Sequence, residues 1–504
     1  MPSRRARRIV IVTVGVIAVA ATVFPLTAFG QVNDREDIAY EPLDRSAFVQ
    51  QSVIDGWINK PGGPDLASID GHAWDLWRQM NQPSGQTLNG TPLPIWETWY
   101  TGEEVFLDNQ EVDDPDSRDL DPLNQSLHAG SRAVDTGTAV RNRATVLSFN
   151  RYNRQMLDQI SQNGYYDRAV LQQLANGFDL AGTPPELRTV SEFPNTSVML
   201  KPVWFIVPGD APSMLPYWAG ETEKVTSNTT NPSWDTWKQC VLVDPTGKAK
   251  PDIARTCNPG EPGETSMKAK SYDVVPVDED PSKSDFYSFR LTQDEVDALG
   301  QDKMILDNSN KQEKVEEVKA GDLAILTAMH VSTREIEDWT WQTFWWVPDP
   351  KEPVSTPPNA QVPPSSIPAP FNHFDMCTAY FMTTPVEAKE AGEPWVCFNP
   401  FLESDLTGLF TADRSTDTDV GIHSNCMSCH RAAIYTATKD IRYVSQGYVS
   451  KTDPAFFADG VITEFLWAMP FRAHDPPFIG PTAPTAPTST TTAPRPTATT
   501  RPPG

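Results

Sequence analysis

Basic residues are in short supply. The chain of 504 residues carries 41 Lys and Arg against 66 Asp and Glu, a formal charge of −25. That deficit argues against nucleic acid and against anionic membrane surfaces as partners. It leaves a solvated acidic exterior, with docking to a basic partner as the functional alternative. Internal repetition is missing too: no repeat of solenoid or propeller period is visible. The acidic run Asp113 to Asp121 lacks the spacing of an EF-hand, so it reads as a solvated loop. Histidine is scarce, seven in all, and cysteine numbers six, so each can be weighed individually.

What is abundant is proline (47) and tryptophan (15). Much of the proline sits in loops and in the stretch after Gly480, which is nearly all Pro, Thr, Ala and Ser and cannot bury a core. At the other end, Arg4, Arg5, Arg7 and Arg8 precede an uncharged apolar run from Ile9 to Leu26, and Ala28 and Gly30 flank Phe29. A charged region, an apolar region and a small-x-small pattern together read as a secretory signal. The run is also long enough to stay as an uncleaved anchor through residues 9–26. Either outcome places the bulk of the chain outside the cytoplasmic membrane, periplasmic or extracellular. No cysteine stands near the cleavage pattern to support a lipid anchor.

Export places the cysteines where disulfides persist. Proximity pairs Cys240 with Cys257 and Cys377 with Cys397, although spacing alone does not fix connectivity. Cys426 and Cys429 are left over, in Asn425-Cys426-Met427-Ser428-Cys429-His430-Arg431. Two thiols on one helical turn can each add across a haem vinyl group, while the adjacent imidazole projects at the iron as proximal ligand; C-x-x-C-H therefore reads as haem c attachment, one per chain. Three rivals fit less well. A thioredoxin-like pair needs a further half-domain after the motif, and only about fifty residues follow before the Pro/Thr-rich tail. A structural zinc site needs a second ligand pair, towards which only His423 is at hand. A plain Cys426–Cys429 disulfide leaves His430 unexplained.

The other side of the iron is open to several residues. Met469, in Trp467-Ala468-Met469-Pro470-Phe471, is a sixth-ligand candidate or a core methionine beside Phe465 and Trp467. His330 and Arg334, four apart, share a face if the strand continues, and over an open haem they suit activation of peroxide or a small nitrogen compound. The alternative is a histidine hydrogen-bonded at a strand end. His373, His423 and His474 are weaker candidates. The aromatic group Trp339, Trp341, Phe344, Trp345 and Trp346 alternates as a strand does and reads as core or as haem-pocket wall.

Periodicity predicts two helices between Arg151 and Phe178 broken near Gly164, a strand from Leu200 to Val207, and a short capped helix at Leu291 to Leu299. Further strands are predicted at Leu323 to Ser332 and Trp341 to Val347, and a surface insertion at 243–283. The resulting division is 1–30 signal or anchor, 31–348 α+β region, 349–370 Pro-rich linker or loop, 371–480 haem-binding region and 481–504 disordered tail.

At these residues the chain resembles exported bacterial proteins of the cytochrome c family that carry one C-terminal C-M-x-C-H. Similar too are the pattern His330-x-x-x-Arg334-x-Ile336-x-x-Trp339-x-Trp341-x-Thr343-Phe344, the segment Glu464-Phe465-Leu466-Trp467, and the stretch from Phe193-Pro194 to Trp204. The likeness runs from about Asn150 to His474, and the haem motif is its specific part. It implies haem binding and electron transfer, with a redox protein or a small donor or acceptor as partner, and names no substrate. A minimal class I cytochrome fold fits poorly, because Asp475-Pro476-Pro477 leaves no closing helix after Met469. The expected fold is therefore α+β, with helices and short strands wrapping one C-terminal haem segment. Electron transfer is the leading function; a haem oxidoreductase using His330 and Arg334, or a haem-based sensor or envelope binding protein, are the alternatives.

Overall fold

In a computed structural model the described residues are 38–88, 91–106, 146–179, 182–220, 237, 239–246, 254–255, 267–268, 270–273, 284–293, 295–296, 318–352, 359–387, 392–404, 422, 424–436 and 447–474. The N-terminal segment 1–30, the acidic run 113–121, Cys257, His423, most of 243–283 and the tail 481–504 lie outside them. Among the described residues no helix is long and apolar enough to cross a membrane.

The fold is α+β. Its helices include α1 (Gln51–Ile58), α2 (Leu66–Met80), α3 (Arg154–Asn163), α4 (Arg168–Gly177), α5 (Pro400–Glu403), α6 (Cys426–Arg431) and α7 (Ala468–Arg472). Asn153 caps α3 by accepting from the Met156 amide, and Gly164, at φ +68°, ends it in a left-handed turn that a glycine adopts without strain. The expected break between two helices is that turn.

The central element is an eight-stranded antiparallel sheet. Its strands are β1 (Tyr100–Thr101), β2 (Val146–Ser148), β3 (Arg151–Tyr152), β4 (Val198–Val207), β5 (Ser288–Arg290), β6 (Leu323–Thr333), β7 (Thr340–Trp346) and β8 (Phe374–Ala379). The main path runs β8–β7–β6–β4–β3–β1, with β5 beside β6 and β2 beside β4. The strands forecast near 200–207, 323–332 and 341–347 are β4, β6 and β7. Residues 349–370 connect β7 to its direct neighbour β8, where Trp346 pairs with Phe374. A bulge at Thr327, whose hydroxyl donates to the Val203 carbonyl at 3.2 Å, sets the register that places His330 opposite Lys201.

Every residue of β7 is buried, so its alternation sorts two cores rather than core from solvent. Phe344 and Trp346 face one core, in which Trp77 of α2 stacks on Phe344 with ring centroids 4.2 Å apart and donates its indole N–H to the Phe371 carbonyl at 3.0 Å. Trp341 and Trp345 face the other, shared with Cys426, Met427, Phe465, Trp467 and Met469 from the C-terminal segment. That segment returns through two short strands, β9 (Ile434–Tyr435) and β10 (Val461–Ile462). Gly460 makes the close return: it sits at φ +87°, and a Cβ there would lie 2.2 Å from the Tyr435 carbonyl.

Cys377 and Cys397 form the expected disulfide, joining β8 to the strand-like segment beside the C-x-x-C-H helix. Cys240 is also disulfide-bonded. Opening a cross-link that closes 20 residues loosens the unfolded chain, and the double change Cys377→Ala, Cys397→Ala is expected to lower stability by about 3 kcal/mol. Denaturant titration reads the loss, and an unchanged midpoint would count against it.

Candidate haem-attachment site

The motif helix α6 is only six residues long and is fixed from outside. Asn425, fully buried, is its N-cap: the side-chain oxygen accepts from the Ser428 amide at 2.9 Å, and the amide group donates to the Trp395 carbonyl at 2.6 Å. The Cys397 amide donates to the Ser424 carbonyl at 3.0 Å, so the disulfide braces the residues entering the helix. At the other end the buried guanidinium of Arg431 pairs with Asp338 and lies over the Phe465 ring, 5.0 Å from its centroid.

Cys426 and Cys429 remain thiols, although they stand one turn apart and the other described cysteines are in disulfides. Burial raises the Cys426 thiol well above its ordinary value, and burial with Glu403 pushes Cys429 up to about 12. Exchange-active thiols have a depressed pKa, whereas burial moves these two the other way.

His430 is held by its ring. Nδ1 lies 2.8 Å from the Phe465 carbonyl oxygen, an acceptor only, so Nδ1 carries the proton and Nε2 keeps a lone pair. Burial lowers its pKa to about 4 against the opposing pull of that hydrogen bond, which keeps the imidazole neutral near pH 7. Trp341 packs against it with ring centroids 4.3 Å apart.

Beside the motif the sheet presents Lys201, His330, Thr343 and Cys377 as lateral partners across β4, β6, β7 and β8. The Nε2 of His330 meets the Glu403 carboxylate at 3.1 Å. Helix α5 delivers Glu403: Asn399 caps it and donates to the Thr343 hydroxyl at 2.7 Å and the Phe344 carbonyl at 3.0 Å. Burial raises the Glu403 pKa, but His330, the Asn399 amide and Lys201 outweigh it and hold the carboxylate below its ordinary range. Burial drives the Lys201 amine down. His330, Glu403 and Cys426 each offer a ligand atom, all within 4.8 Å of one another, which is also a spacing able to hold a metal ion.

The other candidates are placed as follows. Arg334, just past the end of β6, donates to Glu464 at 2.7 Å and to the Ile336 carbonyl at 3.1 Å, and meets Glu192 at 3.4 Å. Its guanidinium serves these partners, while His330 serves Glu403. Met469 is fully buried in the apolar group that holds Cys426. His373 stacks on Trp346 and meets Asp285 at 3.4 Å on the opposite side of the sheet, and His474 stacks on Tyr166.

The sequence reading missed Lys201, Glu403 and the carbonyl of Phe465. Glu403 had a local signal, since Asn399-Pro400-x-x-Glu403 is an N-cap, a proline and an acidic residue in one turn. The carbonyl had none. No family model, curated protein or solved structure matches the chain.

Proposed function

We propose that the chain is an exported c-type cytochrome that moves single electrons outside the cytoplasmic membrane, with one haem held covalently by Cys426 and Cys429 and ligated by His430. The observation that carries this reading is the tethered imidazole: His430 directly follows a pair of free thiols, is neutral, and has its Nδ1 proton committed to the Phe465 carbonyl. A histidine ligand to a metal takes this form, with one nitrogen anchored and the other offered. The residues present therefore suit the group. Haem, when bound, supplies a one-electron iron couple. The chain's own residues hold the thiols in register on α6, orient the imidazole, and exclude water with Trp341, Phe465 and Trp467. The acidic surface favours a partner with a basic face.

A second reading, a haem oxidoreductase with an open sixth position, is favoured by one feature: the His330–Glu403 pair stands close to Cys426. The test is the chain matured in cells with a haem-attachment system, purified, and analysed for pyridine haemochrome, metals and cyanide binding. The carrier is expected to show one c-type haem per chain and a spectrum that cyanide leaves unchanged. High-spin iron that takes up cyanide, and loses its peroxide reactivity in His330→Ala, would favour the oxidoreductase. Colourless protein containing zinc would overturn both and assign His330, Glu403 and Cys426 to a plain metal ion.

A further inference from the structure

We propose that the buried Arg334–Glu464 ion pair is a positioning device for His430, setting the electron donation of the imidazole through the Phe465 carbonyl. The inference rests on the haem reading above.

The carbonyl that accepts the His430 Nδ1–H hydrogen bond belongs to a turn that the backbone does not adopt readily. Glu464 and Phe465, neither of them glycine, stand at φ +48° and +68°. Two successive left-handed residues with side chains persist only where the surroundings impose them. Here the surroundings are identifiable. The Thr463 amide donates to the Ala433 carbonyl at 3.1 Å, and the Leu466 amide closes the turn on the Thr463 carbonyl at 3.0 Å. At the centre, both oxygens of the Glu464 carboxylate are engaged. Oε1 accepts from Arg334 Nε at 2.7 Å, and Oε2 accepts from the Phe193 amide at 2.7 Å. Arg334 is itself fixed at three points: its amide donates to the Ser197 carbonyl at 2.9 Å, Nη1 to the Ile336 carbonyl at 3.1 Å, and Nη2 meets Glu192 at 3.4 Å.

The segments at 193–197, 334–341 and 464–467 are thus far apart in sequence and meet at one carboxylate. From it the constraint runs one residue to the Phe465 carbonyl and 2.8 Å to His430. Trp339 packs edge-on to Phe193 at 5.8 Å, and Trp341 covers the imidazole. Their effect is on the strength and direction of the Nδ1–H···O=C bond, which raises the basicity of Nε2 and so favours the oxidised metal.

The experiment uses the full chain, haem-matured, as wild type, Glu464→Ala, Glu464→Gln and the control Lys319→Ala, which removes an exposed ion pair with Asp210 outside this device. Haem content by pyridine haemochrome is read first; a wild type without haem fails the underlying function, not this inference. Midpoint potential and low-temperature EPR are then read on the loaded proteins. Glu464→Ala is expected to move the Fe(III)/Fe(II) equilibrium about tenfold towards the reduced form, about 59 mV for a one-electron couple. Glu464→Gln, which keeps the shape and one acceptor, is expected to move it by less in the same direction, and Lys319→Ala to leave it in place. A loaded Glu464→Ala protein with the wild-type potential and EPR signal would overturn the proposal, since a purely structural ion pair alters stability without touching the iron. Should the alanine variant fail to accumulate, Glu464→Gln decides on the same terms: a shifted potential supports the proposal and a wild-type one overturns it.

Discussion

Replacing Cys426 and Cys429 together with serine is expected, on the proposed attachment, to abolish covalent haem, so that the denatured chain loses all haem-dependent peroxidase staining on a gel. The expectation follows from the chemistry of the attachment. Each thioether needs a sulfur, serine oxygen does not add to a vinyl group in its place, and no other described cysteine is free to substitute, because Cys377, Cys397 and Cys240 are in disulfides. Serine also keeps the helix, since Asn425 still caps α6 through the Ser428 amide. Each single variant retains one sulfur and is expected to keep a weakened, singly linked signal. His430→Ala keeps both thiols and loses the ligand, so any residual colour in it should show no histidine-ligated spectrum. Full staining in the double serine variant would contradict the assignment of these two residues.

The largest stability effect is expected at a site remote from the motif. Arg151 on β3 is buried and donates to Glu97 at 3.0 Å and to the Trp99 carbonyl at 3.1 Å. Removing one partner of a buried pair leaves the other charge uncompensated, so Arg151→Ala is expected to cost about 3–5 kcal/mol. The pH dependence has a definite sign. Burial already raises the Glu97 pKa from 4.5 to about 7 against the opposing pull of Arg151. Without the arginine it rises further. A carboxyl whose folded pKa lies above its unfolded one favours folding most fully below the unfolded value, and that contribution is lost as pH rises through the folded value. The deficit of Arg151→Ala should therefore be larger at pH 8 than at pH 5, read by urea denaturation at both. An equal deficit at the two pH values would mean that Glu97 finds another partner or reaches water.

How much of this was readable without coordinates depends on whether the determining interaction is local. The C-x-x-C-H motif is local, and its residues share one short helix. The long strands were legible from apolar runs such as Leu323-Ala324-Ile325-Leu326, and the Gly164 break from a glycine between two periodic stretches. The proximity of Cys377 to Cys397 identified their disulfide. What could not be read is what the sheet assembles. Lys201, His330 and Thr343 become neighbours only through strand register, and a bulge at Thr327 decides which residues oppose which. The four-residue spacing of His330 and Arg334 suggested a shared pocket. The strand ends at Thr333, however, and Arg334 turns to Glu464, a partner 130 residues away. The Phe465 carbonyl that orients His430 carries no side-chain signal at all, since any residue supplies a carbonyl.

The mass of one peptide tests the proposed covalent attachment most directly. Protein exported from cells with a haem-attachment system, digested and analysed by mass spectrometry, is expected to yield the fragment containing Cys426, Cys429 and His430 heavier by one haem group, with neither cysteine open to alkylation. The same fragment at its bare peptide mass, with both thiols alkylated, would contradict the account.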